Sequence, residues 1–362
     1  MISEEEHYNN KIDTLIRQDR SFAIWRIPGE LPRFAMQASG SARVLYDIGK
    51  LDEQKGFVIT PFCPSLETPI VLIEPDVFDL EEASKVPDFT ERGKEAISSF
   101  SSDNACLKQE YMRVFDCFTR PLRSKRFDKL VLSRSLTLQR PENFSPGNAF
   151  YQACKRYTRS YVYLCHTPET GTWLGSTPEI ILSGENGEWH TVALAGTQPL
   201  QNGEIPTFWD EKNKEEQGYV AAYIRNKLLS LGIAPTETEP FAVRAGELSH
   251  LRSDFCFSIP DHKRLGDLLK CLHPTPAVCG LPKEETYRFI LDNEGYDRRY
   301  YSGFIGWLDP EKRSDLYVNL RCMHIDSQCL TLYAGGGLLA SSQPEEEWQE
   351  TEDKLQTMRR LL

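Results

Sequence analysis

Apolar positions along the chain fall into short runs whose spacing alternates between a period of two and a period near 3.6. Asp128-Lys129-Leu130-Val131-Leu132-Ser133-Arg134 has the pattern of a strand. Gly147 to Tyr157 is helical in spacing, and Tyr161 to Cys165 is again strand-like. Segments around Trp173, Glu179 to Leu182 and Thr191 to Leu194 add short strands, separated by Gly or Asn-Gly turns. The longest helical pattern runs from Asp210 to Leu231, where Val220, Tyr223, Ile224, Lys227 and Leu228 recur on one face. Gly232 suits its C-terminal stop. Pro282 opens another helix through Asp292, as proline does at a first turn. Three strands follow, near Phe304 to Leu308, Leu316 to Arg321 and Leu330 to Tyr333, and a last helix begins near Pro344. Strand groups interrupted by helices, without regular βαβ alternation, argue for an α+β fold and against a doubly wound nucleotide binder.

The first 110 residues or so mix short β-like runs with acidic loops and carry no readable motif. No linker, repeat or low-complexity tract cleanly divides the 362 residues, a length that suits one large domain or two ordinary ones. Composition narrows the function. Hydrophobic residues make up 40% and charged residues 26%, an ordinary globular balance. A net charge of -11 argues against nucleic-acid binding, and it means that an anionic substrate needs a cation or a local basic pocket. No apolar run approaches the ~20 residues of a membrane span, and the acidic N-terminus does not resemble a signal peptide. The 10 cysteines form no CxxC pair, and Cys165, Cys256 and Cys322 read as buried thiols of a reducing compartment. The expectation is a cytoplasmic protein, monomeric or homodimeric.

Several positions invite chemistry. Lys129 sits inside an apolar strand, where a desolvated amine can serve as a base; a lysine snorkelling at a strand end is the plain alternative. Glu179 precedes the apolar run Ile180-Ile181-Leu182, so its carboxyl is either a partly buried proton donor or a turn residue that starts a strand. Glu215 and Glu216 on one helix, with Glu346, Glu347 and Glu350 on another, can share a hard divalent cation or form solvated helix faces. The 7 histidines show no ligand-like spacing. Gly335-Gly336-Gly337, expected between strand and loop, reads as a tight turn or as an anion-binding nest.

Together these segments resemble the chorismate-utilising enzymes, and isochorismate synthases in particular. The resemblance runs from about Lys129 to the C-terminus, in order. It is carried by Lys129-Leu130-Val131-Leu132-Ser133-Arg134, Gly175-Ser176-Thr177-Pro178-Glu179, Leu194-Ala195-Gly196-Thr197 and His273-Pro274-Thr275-Pro276-Ala277-Val278-Cys279-Gly280. Tyr296-Asp297-Arg298, Gly303-Phe304-Ile305-Gly306-Trp307, Arg321-Cys322, Tyr333-Ala334-Gly335-Gly336-Gly337 and Glu347-Trp348-Gln349-Glu350-Thr351 continue it.

The resemblance implies a single large domain with a two-lobed antiparallel β core flanked by helices. Residues 1–110 are its poorly matched part, and residues 111–362 its chorismate-binding part. It implies Lys129 as general base and Glu179 as general acid, with Glu216 and Glu350 holding Mg²⁺. Substrate contacts fall to Thr197, His273, Ala277, Arg321, Tyr333, Gly335 and Lys354. Aminating relatives resemble one another in having glutamine where Lys129 stands, and aminodeoxychorismate synthases place a lysine where Ala195 stands. Lys129 with Ala195 therefore implies water as nucleophile, isochorismate as product and no glutaminase partner. Menaquinone synthesis is the expected pathway and siderophore synthesis its alternative, while salicylate synthases share the Lys/Glu pair. Gln198-Pro199-Leu200, and Gln217 beside Glu216, depart from the family pattern.

Overall fold

The computed structural model describes residues 4–86, 104–245, 248–259 and 264–362. The chain opens with α1 (Glu4–Arg17), β1 (Ser21–Arg26), β2 (Arg33–Gln37), β3 (Arg43–Leu45), β4 (Gly56–Thr60), β5 (Ile70–Ile73), the short α2 (Leu80–Ala83) and α3 (Asn104–Arg123). Next come β6 (Lys129–Gln139), α4 (Pro146–Arg156), β7 (Tyr161–Thr167), β8 (Gly171–Thr177), β9 (Ile180–Glu185) and β10 (Glu188–Pro199). The middle holds α5 (Glu211–Ser230), β11 (Thr236–Glu237), β12 (Phe241–Ala245), β13 (Leu248–Ser258), α6 (Leu265–Leu272), β14 (Gly280–Leu281) and α7 (Lys283–Asn293). The chain closes with β15 (Phe304–Leu308), β16 (Arg313–Val318), β17 (Cys322–Ile325), β18 (Cys329–Leu338) and α8 (Pro344–Arg359).

The architecture is α+β. One sheet has the order β14-β6-β18-β17-β8-β7-β1-β2, and the other β11-β13-β10-β9-β16-β15-β4-β5-β3, with β12 also on β13. Among the described strands every pairing is antiparallel. The facing surfaces meet in an aromatic layer that includes Trp25, Phe57, Tyr161, Trp173, Tyr301 and Tyr333. Helices α5 and α6 cover the outer face of the second sheet, burying Val220, Ile224, Leu228, Leu268 and Leu269. Helices α1, α4 and α8 cover the first through Ile12, Phe150, Leu355 and Met358. This is the alternation in layers that an apolar face on each sheet demands.

Most expected elements occupy their expected places. Asp210 caps α5 through its side chain, and Gly232 follows the helix with a φ of 75°. Four strands, not three, lie between Phe304 and Leu338, because the chain breaks at Asn319-Leu320-Arg321 before pairing again. The motif-poor first third is woven into both sheets: β1 pairs with β7, and β4 with β15.

The join between β4 and β15 is tight. A Cβ at Gly303 would stand 1.7 Å from the carbonyl oxygen of Thr60. Backbone cannot yield as a flexible side chain can, so Gly303→Ala is expected to cost about 1–3 kcal/mol or more. Urea unfolding tests this, and an unchanged midpoint would show that the join tolerates the methyl group.

Candidate active site

At one end of the sandwich, β6, β18, α5, α8 and the loop before α7 surround a cavity with about 620 Å³ of empty space, part of it open to solvent. Its walls include Glu179, Ala195, Thr197, Glu216, His250, Ala277, Tyr301, Arg321, Gly335 and Lys354. Sequence positions more than 200 residues apart thus meet in one place.

Lys129, the first residue of β6, is fully buried, and its Nζ lies 3.0 Å from Glu216 Oε1. The strand next to it explains how a helix carboxylate reaches it. Gly335, Gly336 and Gly337 are not a turn; they lie inside β18, paired with Ser133, Leu132 and Val131. On their other side β17 pairs only with Leu330 to Leu332, so the glycine stretch is a bare strand segment facing the cavity. A methyl group on Gly337 would lie 2.1 Å from Glu216 Oε1 and 2.9 Å from Lys129 Cε. The missing side chain makes room for the ion pair.

Glu179 stands between β8 and β9, almost entirely buried, and accepts a hydrogen bond from Thr275 Oγ1 at 3.2 Å. Burial pushes its carboxyl up to about 7, against the opposing pull of the Thr275 hydroxyl, Lys129 and Lys354. Glu216 feels burial too, but Lys129 and Lys212 outweigh it and hold its carboxyl below the ordinary value. One carboxyl thus holds its proton up to about neutrality and the other is ionised, because Lys129 is in direct contact with Glu216, while the amines near Glu179 do not offset its burial.

Arg321 sits in the break between β16 and β17 with a φ of 46°, a left-handed conformation that costs a non-glycine residue about 1–3 kcal/mol. It donates to Nε2 of His250, a residue the sequence reading passed over. Burial first, then Arg321 and Lys354, drives the His250 imidazole well below its ordinary value, so it is neutral. Its Nδ1 then donates to the Gly196 carbonyl at 3.1 Å. Gly196 lies in the bulge of β10 with a φ of 75°, which turns Thr197 into the cavity wall. No periodicity marks His250; it reaches the site only through the β10–β13 pairing.

Lys354 Nζ bonds the Gly335 carbonyl at 2.8 Å and Glu350 Oε1 at 2.6 Å, one turn earlier on α8. Glu347, on the same helix, bonds Lys212 of α5 at 2.5 Å. Burial and then Glu350 raise Glu347 to about 7. Burial opposes the charge on Lys212, yet Glu347, Glu350 and Glu216 together hold its ammonium above the ordinary value. A cation therefore already sits among three carboxylates, whose hard oxygens suit a divalent ion such as Mg²⁺. Glu347, one of the glutamates that the sequence offered for a shared cation, joins this group, and so does Lys212, which had no role assigned from sequence.

The residues expected at the site divide. Glu179, Thr197, Glu216, Ala277, Arg321, Gly335 and Lys354 line the cavity. Lys129 stands behind Glu216, and Glu350 behind Lys354. His273 and Tyr333 are not in the wall. Tyr333 stacks behind Tyr301 at 5.5 Å, and Tyr301 presents its ring to the cavity instead. His273 packs edge-on against Phe304 at 5.4 Å, with Nε2 3.3 Å from the Phe62 carbonyl. It anchors the loop that carries Thr275 and Ala277.

A fold with two antiparallel sheets over a lysine-and-glutamate cavity fits one group of proteins. A model of that group, described as chorismate binding enzyme, matches residues 74–362. The chain belongs to this family. It is similar to the isochorismate synthase DhbC of Bacillus subtilis, at 30% identity over 249 residues, 65% of this chain and 63% of that protein. It is also similar to the isochorismate synthase MenF of Escherichia coli, at 32% over 277 residues, 70% of this chain and 60% of that protein. The aligned part is thus about three-fifths of the length of these curated relatives. The solved structure of the menaquinone-specific MenF of Escherichia coli superposes with a TM-score of 0.75 at 21% identity, covering 97% of this chain and 91% of the other. That likeness speaks for the fold.

The raised Glu179 carboxyl makes a prediction about stability. Below about pH 4.5 the carboxyl is protonated whether the chain is folded or not, and burying it carries no electrostatic penalty. As pH rises through 7 the folded protein must ionise a buried group, and stability falls by up to about 3 kcal/mol. Glu179→Gln removes that penalty. Its melting temperature should match the parent near pH 4.5 and exceed it at pH 8. A gap that does not grow with pH would contradict the buried, raised carboxyl.

Proposed function

We propose that this protein is an isochorismate synthase, converting chorismate to isochorismate with Mg²⁺ as cofactor. The observation that supports this most is the pairing of a buried lysine and a carboxyl raised to about 7 beside one cavity, with Arg321 and Lys354 in its walls. Lys129 takes a proton from the water that attacks ring C2; to do so it must first release to solvent the proton it holds against Glu216 and act as the free amine. Glu179, whose carboxyl keeps its proton up to about pH 7, gives that proton to the hydroxyl leaving C4. Proton in and proton out balance, and the double bonds shift across the ring. Thr275 positions Glu179, so it acts through that carboxyl.

Arg321 presents a planar fork to a substrate carboxylate, oriented by neutral His250. Lys354 offers a second cationic contact beside the Gly335 carbonyl. Glu216 and Glu350 would hold Mg²⁺, with Glu347 near enough to share it; the ion would neutralise charge on the ring carboxylate. These local cations answer the net charge of -11, which would otherwise repel a dianion. Ala195 in the wall leaves no amine there to replace water as nucleophile.

The relatives' names support isochorismate as product. The relatives include a menaquinone-specific, a salicylate-biosynthesis and a vibriobactin-specific isochorismate synthase, so the proposed chemistry is the step those routes share. No helix among the described residues is long and apolar enough to cross a membrane, which suits a small, water-soluble substrate.

The deciding experiment is separation of products by HPLC after purified protein meets chorismate with and without Mg²⁺. Metal-dependent isochorismate is expected; salicylate with pyruvate would move the protein to the lyase branch, and no product would remove the proposal. Lys129→Ala and Glu179→Gln should each lower turnover by ~10²–10⁴-fold. Because the acid must be protonated, kcat/KM should fall as pH rises through about 7. Thr275→Val, which removes a hydrogen bond favouring the ionised form, should move that fall to higher pH.

A further inference from the structure

Far along β10 from the cavity bulge, the pairing of β10 with β13 assembles a second group of ligand-type side chains. His190 on β10 stands directly opposite Cys256 on β13. Opposed residues of an antiparallel pair carry their Cβ atoms about 4.5–5.5 Å apart on one face. Glu188, two positions before His190, faces the same way, since strand side chains alternate. The contacts agree with the backbone. Cys256 Sγ lies 3.0 Å from Glu188 Oε1, and His190 Nε2 lies 3.8 Å from the same oxygen. One ligand atom from each residue falls within 4.8 Å of the others.

We propose that Glu188, His190 and Cys256 form a surface site for a borderline-soft divalent metal ion of the Zn²⁺ or Co²⁺ kind, separate from the carboxylate group around Glu216. A four-coordinate ion with bonds near 2.3 Å to sulfur and near 2.0–2.1 Å to nitrogen and oxygen sets its ligands about 3.3–3.8 Å apart. The three side chains need only small rotations to reach that spacing. Thiolate, imidazole and carboxylate together select such ions over Mg²⁺, which prefers six oxygens. Three protein ligands on an exposed strand face leave the fourth position to water. The thiol now shares its proton with Glu188, so the metal must displace that proton, and affinity should rise with pH. Neither the cysteine nor the histidine spacing in the sequence signals this site, because its members come from strands 66 residues apart that meet only in the sheet.

The test is titration of the full chain with Co²⁺ in excess Mg²⁺. The expected result is a strong near-ultraviolet thiolate-to-cobalt band with the visible bands of a four-coordinate ion, reversed by Zn²⁺. Cys256→Ser should abolish the near-ultraviolet band, and His190→Ala should weaken binding at least about tenfold. The His190 side chain is about half exposed and that of Cys256 only partly covered, so neither substitution should change the far-ultraviolet circular dichroism. Absence of the band in the parent protein overturns the proposal, as does a band that survives Cys256→Ser, since another of the 10 cysteines would then be the ligand.

Discussion

The ion pair between Lys129 and Glu216 is the constraint around which the site is built. Removing an ammonium and a carboxylate from water costs several kcal/mol each, and their mutual attraction offsets this only in good geometry. Their separation of 3.0 Å is possible because Gly337 leaves no side chain between strand and helix. If either partner is lost, the other remains as an uncompensated buried charge. The position of the lysine therefore depends on a glutamate from another helix, and the position of that helix on a strand without side chains. Chemistry and packing at this point are the same set of contacts.

The pair is one of three. Lys212 with Glu347 and Lys354 with Glu350 repeat the pattern, so each carboxylate near the cavity has an ammonium beside it. Glu179 differs in its partner: among the described residues its carboxyl bonds a hydroxyl and no ammonium, and burial raises it to about 7, the level Glu347 reaches where burial and Glu350 outweigh Lys212. Two kinds of environment thus sort chemically identical side chains into ion-holding and proton-holding roles. His250 shows the same sorting for a base. Kept neutral by burial and by two nearby cations, it can accept from Arg321 instead of repelling it.

Much of this was legible in the sequence, and what was not has physical causes. Helix α5 announced itself by period, by Asp210 and by Gly232, all local signals. Lys129 and Glu179 were visible as charges in or beside apolar segments, and Glu216 as one of an acidic pair on a long helix. The glycine run was misjudged because three glycines in a row look like a turn from propensity alone. Only the neighbours across the gap, Glu216 on one side and Glu347 with Glu350 on the other, explain bare extended strand. His250, Lys212 and the Glu188, His190 and Cys256 group depend on strand pairing and helix docking across long separations, which no local window contains. Cys256, expected to be buried, lies half-exposed for the same reason: its strand is known from sequence, its face is not.

Among the described residues, the first third of the chain contributes none to the cavity wall, whose first member in sequence is Val131. Its influence is indirect but continuous. Phe62, just beyond β4, offers its carbonyl to His273 and its ring to the Arg298 guanidinium at 4.4 Å. His273 fixes the start of the loop whose Thr275 hydroxyl bonds Glu179. Arg298 in turn forks onto Glu294 and reaches the carbonyls of Val278 and Val131, tying that loop to β6 two residues beyond Lys129. A segment without a motif of its own therefore sets the distance between the buried lysine and the buried carboxyl. Its sequence is constrained to fill the space between two sheets, and many apolar combinations do that equally well. That freedom is the physical reason it carries so little to read.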